Sequence, residues 1–212
     1  MKATELVFIL DKSGSMAGLE SDTIGGFNSM LQKQKALPGQ CRITTVLFDN
    51  RYELLHDRID IRAVSPMTER EYQVGGSTAL LDAIGRTVHK LVSVQKNTAE
   101  EYRAEHVMFV IITDGEENAS REYSFQKVKA MIEEEKETYG WEFVFLGANI
   151  DAVETAGRFG ISPDRAVDYV PDGAGTELNF RAMSETVACF RATGAVPAAP
   201  MEAIRKDRKR RG

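Results

Sequence analysis

A mostly parallel α/β sheet covered by helices on both faces is the fold class this sequence predicts, and two observations carry the prediction. Residues 6–10 (Leu-Val-Phe-Ile-Leu) and 107–112 (Val-Met-Phe-Val-Ile-Ile) are unbroken apolar runs that lead directly into Asp11 and Thr113-Asp114. A strand buried on both faces reads this way, whereas a half-exposed strand alternates. Such runs also alternate along the chain with segments of helical apolar spacing, the mark of crossover units in a parallel sheet. At 212 residues, 42% hydrophobic and 28% charged, the chain has the composition of a soluble protein with one sizeable core. One α/β domain is expected over 1–194, followed by a Pro/Ala-rich exit and a basic tail over 195–212.

Each element follows in order. The first strand is residues 6–10. Ser21 and Asp22 are N-cap candidates for a helix burying Ile24, Phe27 and Leu31, which Pro38-Gly39 stops before a strand at 43–48. Asp49-Asn50-Arg51 reads as a tight turn that folds 52–56 back as an antiparallel edge strand. A loop through Pro66 and Gly75-Gly76 leads to a helix with Leu80, Leu81, Ile84, Val88, Leu91 and Val92 on one face, which places Thr78 at its N-terminus. After the strand at 107–112, Phe125, Val128 and Ile132 mark a helix, and 143–146 a buried strand. A short helix at 153–159 and a strand near 166–170 come next. Phe180, Met183, Val187 and Phe190 recur at helical spacing and close the domain. Right-handed crossovers with one hairpin give the six-stranded order 3-2-1-4-5-6 in a three-layer α-β-α, Rossmann-like fold with one antiparallel edge strand. Strands one and four then lie side by side where the winding reverses, the place ligands occupy in open α/β sheets.

The net charge of −5 hides an asymmetry. Arg205, Lys206, Arg208, Lys209, Arg210 and Arg211 against Asp207 give the tail +5, which leaves the body at about −10. An acidic body argues against a nucleic-acid-binding core, so only the tail spanning Arg205 to Arg211 could touch nucleic acid or an acidic partner, and its default reading is a solvated, frayed terminus. Cys41 and Cys189 are far apart and lack metal-ligand spacing, so both are expected as reduced thiols. No signal-like hydrophobic region and no stretch long enough to span a bilayer is present in the sequence, and the expectation is a cytoplasmic protein.

The residues that arrive at the switch point form an all-oxygen set. Asp11 ends the first strand, Ser13 and Ser15 follow two residues apart in its loop, Thr78 heads the intervening helix, and Asp114 ends the fourth strand. Hydroxyls and carboxylates without imidazole or thiolate suit a hard cation, Mg2+ first, with Mn2+ or Ca2+ as alternatives. Taken singly, each piece has a plainer use. Ser and Asp after a strand make turns, Thr78 could cap its helix, and Asp82 in the first turn suits the helix dipole or orients a loop. Glu116, Glu117 and Asn118 read as an acidic solvated loop.

Taken together, Asp11-x-Ser13-x-Ser15, Gly76-Ser77-Thr78-Ala79-Leu80-Leu81-Asp82 and Ile112-Thr113-Asp114-Gly115 resemble the metal-ion-dependent adhesion site of von Willebrand factor A (vWA) domains. The resemblance runs over about residues 4–190 and is to the small, stand-alone intracellular bacterial type. It implies a metal set of Asp11, Ser13, Ser15, Thr78 and Asp114, and a Mg2+-dependent protein-binding surface at which an acidic side chain of a partner completes coordination. It implies no enzyme. Two other readings stand beside it. A Mg2+-dependent phosphohydrolase would use Asp11 as nucleophile, but Ser13 stands where such enzymes carry a second Asp, and none of His56, His89 and His106 is placed as a general base. A scaffold docking through its basic tail is the third.

Overall fold

The computed structural model describes residues 3–212. Its sheet contains β1 (Thr4–Asp11), β2 (Cys41–Phe48), β3 (Tyr52–Asp60), β4 (His106–Asp114), β5 (Glu142–Ala148) and β6 (Ala166–Asp168). The order is β3-β2-β1-β4-β5-β6, and every neighbouring pair is parallel except β2 with β3. The helices are α1 (Glu20–Lys35), α2 (Leu80–Lys96), α3 (Phe125–Tyr139), α4 (Ala152–Arg158), α5 (Gly173–Thr193) and α6 (Ala198–Arg211).

The two apolar runs become the two central strands because both of their faces are covered. Leu6, Phe8 and Leu10 of β1 pack with Phe27, Met30 and Leu31 of α1, Met183 and Phe190 of α5, and Met201 and Ile204 of α6. Val7 and Ile9 point the other way, into a second cluster with Leu80, Ile84 and Val88 of α2, Val128 and Ile132 of α3, and Ala152 and Ala156 of α4. Strand alternation with both faces buried is what makes the sequence read as continuous rather than periodic.

Three elements depart from the sequence reading. First, α1 begins at Glu20, ahead of the expected caps, and its N-cap is Leu19 without a side-chain hydrogen bond. The turn of Gly14–Met16 and Gly18, at φ +90°, delivers the chain early, and Glu20 and Asp22 occupy the first turn, where acidic charge favours the dipole. Second, β3 runs past His56 to Asp60 through two register irregularities against β2. Arg58, at φ +51°, sits in this distorted stretch and donates to the buried Glu5 of β1 at 3.0 and 2.6 Å, so the strand continues over the sheet edge on an ion pair that local pattern does not reveal. Third, the frayed tail is a helix. Met201 and Ile204 of α6 are fully buried, Arg205 donates to the carbonyls of Pro163 and Ala166, and Arg211 pairs with Asp172 at 2.6 Å. Among the described residues, no helix is long and apolar enough to cross a membrane.

Candidate metal centre

Because parallel strands all present their C-terminal ends on one side, β1 and β4 carry Asp11 and Asp114 to the same edge, and the register leaves Asp11 one step beyond the paired Leu10 and Ile112. Asp11 is buried and organises the edge. Its Oδ1 accepts the Ser13 N–H at 2.6 Å, closing the first loop, and its Oδ2 accepts the Thr113 hydroxyl at 2.7 Å and the Asp114 N–H at 3.2 Å. Its carbonyl accepts the Tyr72 hydroxyl, and the Thr113 carbonyl accepts that of Tyr169 at 3.3 Å. Burial first, and then the neighbouring carboxylate charges, push both phenols above their usual range, so they stay neutral donors.

The three hydroxyls meet above this floor. Ser13 Oγ lies 3.0 Å from Ser15 Oγ and accepts from Thr78 Oγ1 at 3.0 Å. Ser13 and Thr78 are buried while Ser15 is exposed, so the cluster opens to solvent on the Ser15 side. Gly115 brings the third loop over it. At φ +145° this residue adopts backbone that favours glycine, and a Cβ there would stand 3.2 Å from Ser15 Oγ and 3.9 Å from Thr78 Oγ1. Asp114 is buried beside them and is held by the Asn149 side-chain amide.

Main-chain hydrogen bonds stitch the loops. Gly14 donates to Gly76 at 3.0 Å and Gly75 to Lys12 at 2.9 Å, and Asn118 donates to the Thr78 carbonyl at 3.0 Å while its Oδ1 accepts the Thr78 N–H at 2.9 Å. Thr78 is therefore not the helix cap, since the N-cap of α2 is Ala79 and no side chain caps it there. Asp82 does orient a loop, accepting N–H groups from Arg121, Glu122 and Tyr123 at 2.9 Å each. Glu116 and Asn118 are exposed, as the solvated reading of 116–118 expects, but Asn118 is bonded to Thr78 and Glu117 is partly buried. Glu117 accepts from the Leu81, Ala119 and Ser120 N–H groups at 2.7–2.9 Å, and with the Ser120 hydroxyl, which accepts the Asp82 N–H at 3.0 Å, it serves N–H groups in the first turn of α2. Tyr72, Asn118 and Asn149 were missed as site residues. Asn149 alone left a local signal, an Asn following a buried strand, where left-handed backbone is tolerated (φ +56°).

Electrostatics bear on whether a cation fits. Burial is the largest cause raising the Asp11 carboxyl above its ordinary value, against the hydrogen bonds from Ser13, Thr113 and Asp114. Asp114 is raised by burial first, lowered by Asn149 and raised again by the charge of Asp11. Two neighbouring carboxylates whose charge burial disfavours, next to three hydroxyls joined through Ser13, are the environment a hard dication relieves. Among the described residues no group of three or more His, Cys, Asp and Glu could hold a metal, so any metal at this edge depends on the hydroxyls. The donor set fits Mg2+ better than a metal that prefers nitrogen or sulfur.

Comparison with solved structures gives the fold a family likeness. A von Willebrand factor type A protein from Catenulispora acidiphila superimposes with a TM-score of 0.60 at 14% identity, covering 88% of this chain and 43% of that one. The fold is vWA-like. The proximal thread matrix protein 1 of the mussel byssus, in a structure with a zinc-occupied MIDAS motif, matches with a TM-score of 0.59 at 14% identity over 88% of this chain and 46% of its own. The PilB minor pilin from Streptococcus sanguinis matches at 0.61 and 10% identity over 92% and 64%. The present chain thus spans less than two thirds of the length of each of these three neighbours. No protein-family model matches the sequence, and no curated protein does either.

Proposed function

We propose that this vWA-like chain is a divalent-metal-dependent protein-binding module rather than an enzyme. The observation that carries the reading is the convergence of the Ser13, Ser15 and Thr78 hydroxyls, within 3.0 Å steps, on the edge where Asp11 and Asp114 end their strands. In this proposal those five residues hold Mg2+, with Mn2+ or Ca2+ able to substitute, and the zinc in the motif of the byssus protein supports a divalent ion at such a site. The metal supplies Lewis acidity towards a carboxylate. What the chain itself does is hold neutral hydroxyls in place on hydrogen-bonded loops and leave the Ser15 side open, so that an acidic side chain of a partner protein can approach. The proposed location is the cytoplasm, where two reduced thiols fit.

Binding is favoured over turnover by the disposition of Lys12, the one lysine in the site loops among the described residues. Lys12 is buried and paired with Glu53 at 2.6 Å, not directed as a free cation towards a phosphoryl group. The deciding experiment is capture of partners from host lysate in Mg2+ and in EDTA, with a Ser13→Ala/Ser15→Ala double variant as control. A protein retained by the wild type in Mg2+ alone supports the module. Identical capture under all conditions, or hydrolysis of a phosphate ester by the wild type, overturns it.

A further inference from the structure

Behind the hydroxyl cluster, on the α1/α5 side of the sheet, lies a small cavity whose lining joins six parts of the fold. Leu10 and Asp11 come from β1, Met16 from the first loop, Thr23 from α1, Ile112 from β4, and Thr176, Asn179 and Phe180 from α5, with Tyr169 between β6 and α5. All of these residues are buried. Three polar atoms in this one lining make no hydrogen bond of good geometry within the protein: Thr176 Oγ1, Asn179 Oδ1, and Thr23 Oγ1, which has only the Tyr72 hydroxyl, already donated to Asp11, beside it. Of the four such side-chain atoms among the described residues, three therefore belong to a single cavity; the fourth, Glu5 Oε2, lies on β1 at the opposite end of the strand from Asp11.

Chance does not gather orphaned groups this way, because each buried polar atom left unpaired carries a desolvation cost that nothing offsets. The cavity offers about 10 Å3 to the centre of a water-sized sphere, close to the ~10–15 Å3 that one water requires. We propose that it is a binding site for one structural water, which donates to Asn179 Oδ1 and to one threonine oxygen and accepts the hydroxyl proton of the other threonine. Three bonds is the usual complement of a buried water. The Asp11 carboxylate lines the site without needing the water, since both of its oxygens already accept from Ser13, Thr113 and Asp114. The water is thus a joint between α1 and α5, seated under the strand end that carries Asp11. It does not depend on a metal being bound above.

A high-resolution crystal structure of the wild type tests this directly, with Thr23→Val and Thr176→Val as near-isosteric companions in thermal unfolding. The expected result is one density peak at about 2.7–3.2 Å from all three oxygens. Each valine variant should also lower Tm by roughly 2–4 °C, the loss of about one hydrogen bond in a chain of this length. A peak with contacts of about 2.3–2.6 Å, the range of a bound Ca2+, overturns water in favour of a cation. Direct pairing of the three side chains, or valine variants with unchanged or higher Tm, overturns the site altogether.

Discussion

His56 shows how one side chain can tie stability to pH. Its Nδ1 is 3.0 Å from the Thr45 hydroxyl, and its ring stacks on Phe27 with an interplanar angle of 8°. Burial, the largest cause, holds its pKa below the ordinary 6.5 in spite of the nearby Glu71 charge. The folded state therefore keeps the neutral imidazole. Its contribution is fully present above the unfolded value and is lost as pH falls through the lowered folded value. Between about pH 7 and pH 5, the wild type should lose denaturant resistance more steeply than His56→Gln, whose carboxylates titrate alike. Parallel stability-pH curves for the two proteins would mean that the imidazole charges without cost to the fold. The sequence offers His56 only as an isolated histidine; Phe27 and Thr45 reach it from other elements, so neither its burial nor its titration could be read locally.

Among the elements, α6 carries the clearest lesson. Its 14 residues hold few apolar side chains among many charges, and Pro200 stands in the first turn, so no amphipathic stripe announces a buried helix. Packing against α5 and β6 decides the matter, through two fully buried side chains and the bonds that Arg205 makes to backbone carbonyls. Ile204→Ala should cost about 2–4 kcal/mol in urea unfolding with an unchanged slope. Lys206→Ala, on the exposed face, should stay within about 0.5 kcal/mol. An Ile204→Ala protein as stable as the wild type would show that α6 does not belong to the cooperative fold. The basic C-terminal turn also faces the negative end of its own helix dipole, a use for these charges that requires no nucleic acid.

For the whole molecule, the proposed metal site predicts a linkage. A cation that binds only the folded chain adds about 2.7 kcal/mol of stability at a hundredfold excess over its Kd, or roughly 5–10 °C in Tm for a chain of this size. Mg2+ should therefore raise the wild-type Tm towards a saturating value. Asp114→Ala should keep a cooperative transition in EDTA, since burial and Asp11 already disfavour its charge, yet lose most of the Mg2+ response. An equal response in both proteins would remove Asp114 from the metal set, and general unfolding of the variant would make its role structural.

By itself the sequence determined the strands, their order and the edge at which Asp11, Ser13, Ser15, Thr78 and Asp114 gather. Apolar runs buried on both faces and right-handed crossovers leave few alternatives for a sheet of this kind. Those signals are local or topological, and they survive without knowledge of contacts. Only the tertiary structure decided which groups support that edge. Tyr72 reaches the Asp11 carbonyl across 61 residues, Asn149 reaches Asp114 across 35, and Thr23, Thr176 and Asn179 face one cavity from two helices. Such pairings carry no periodicity, because hydrogen-bond satisfaction in a buried interior is settled by whatever the fold brings within about 3 Å, not by spacing along the chain.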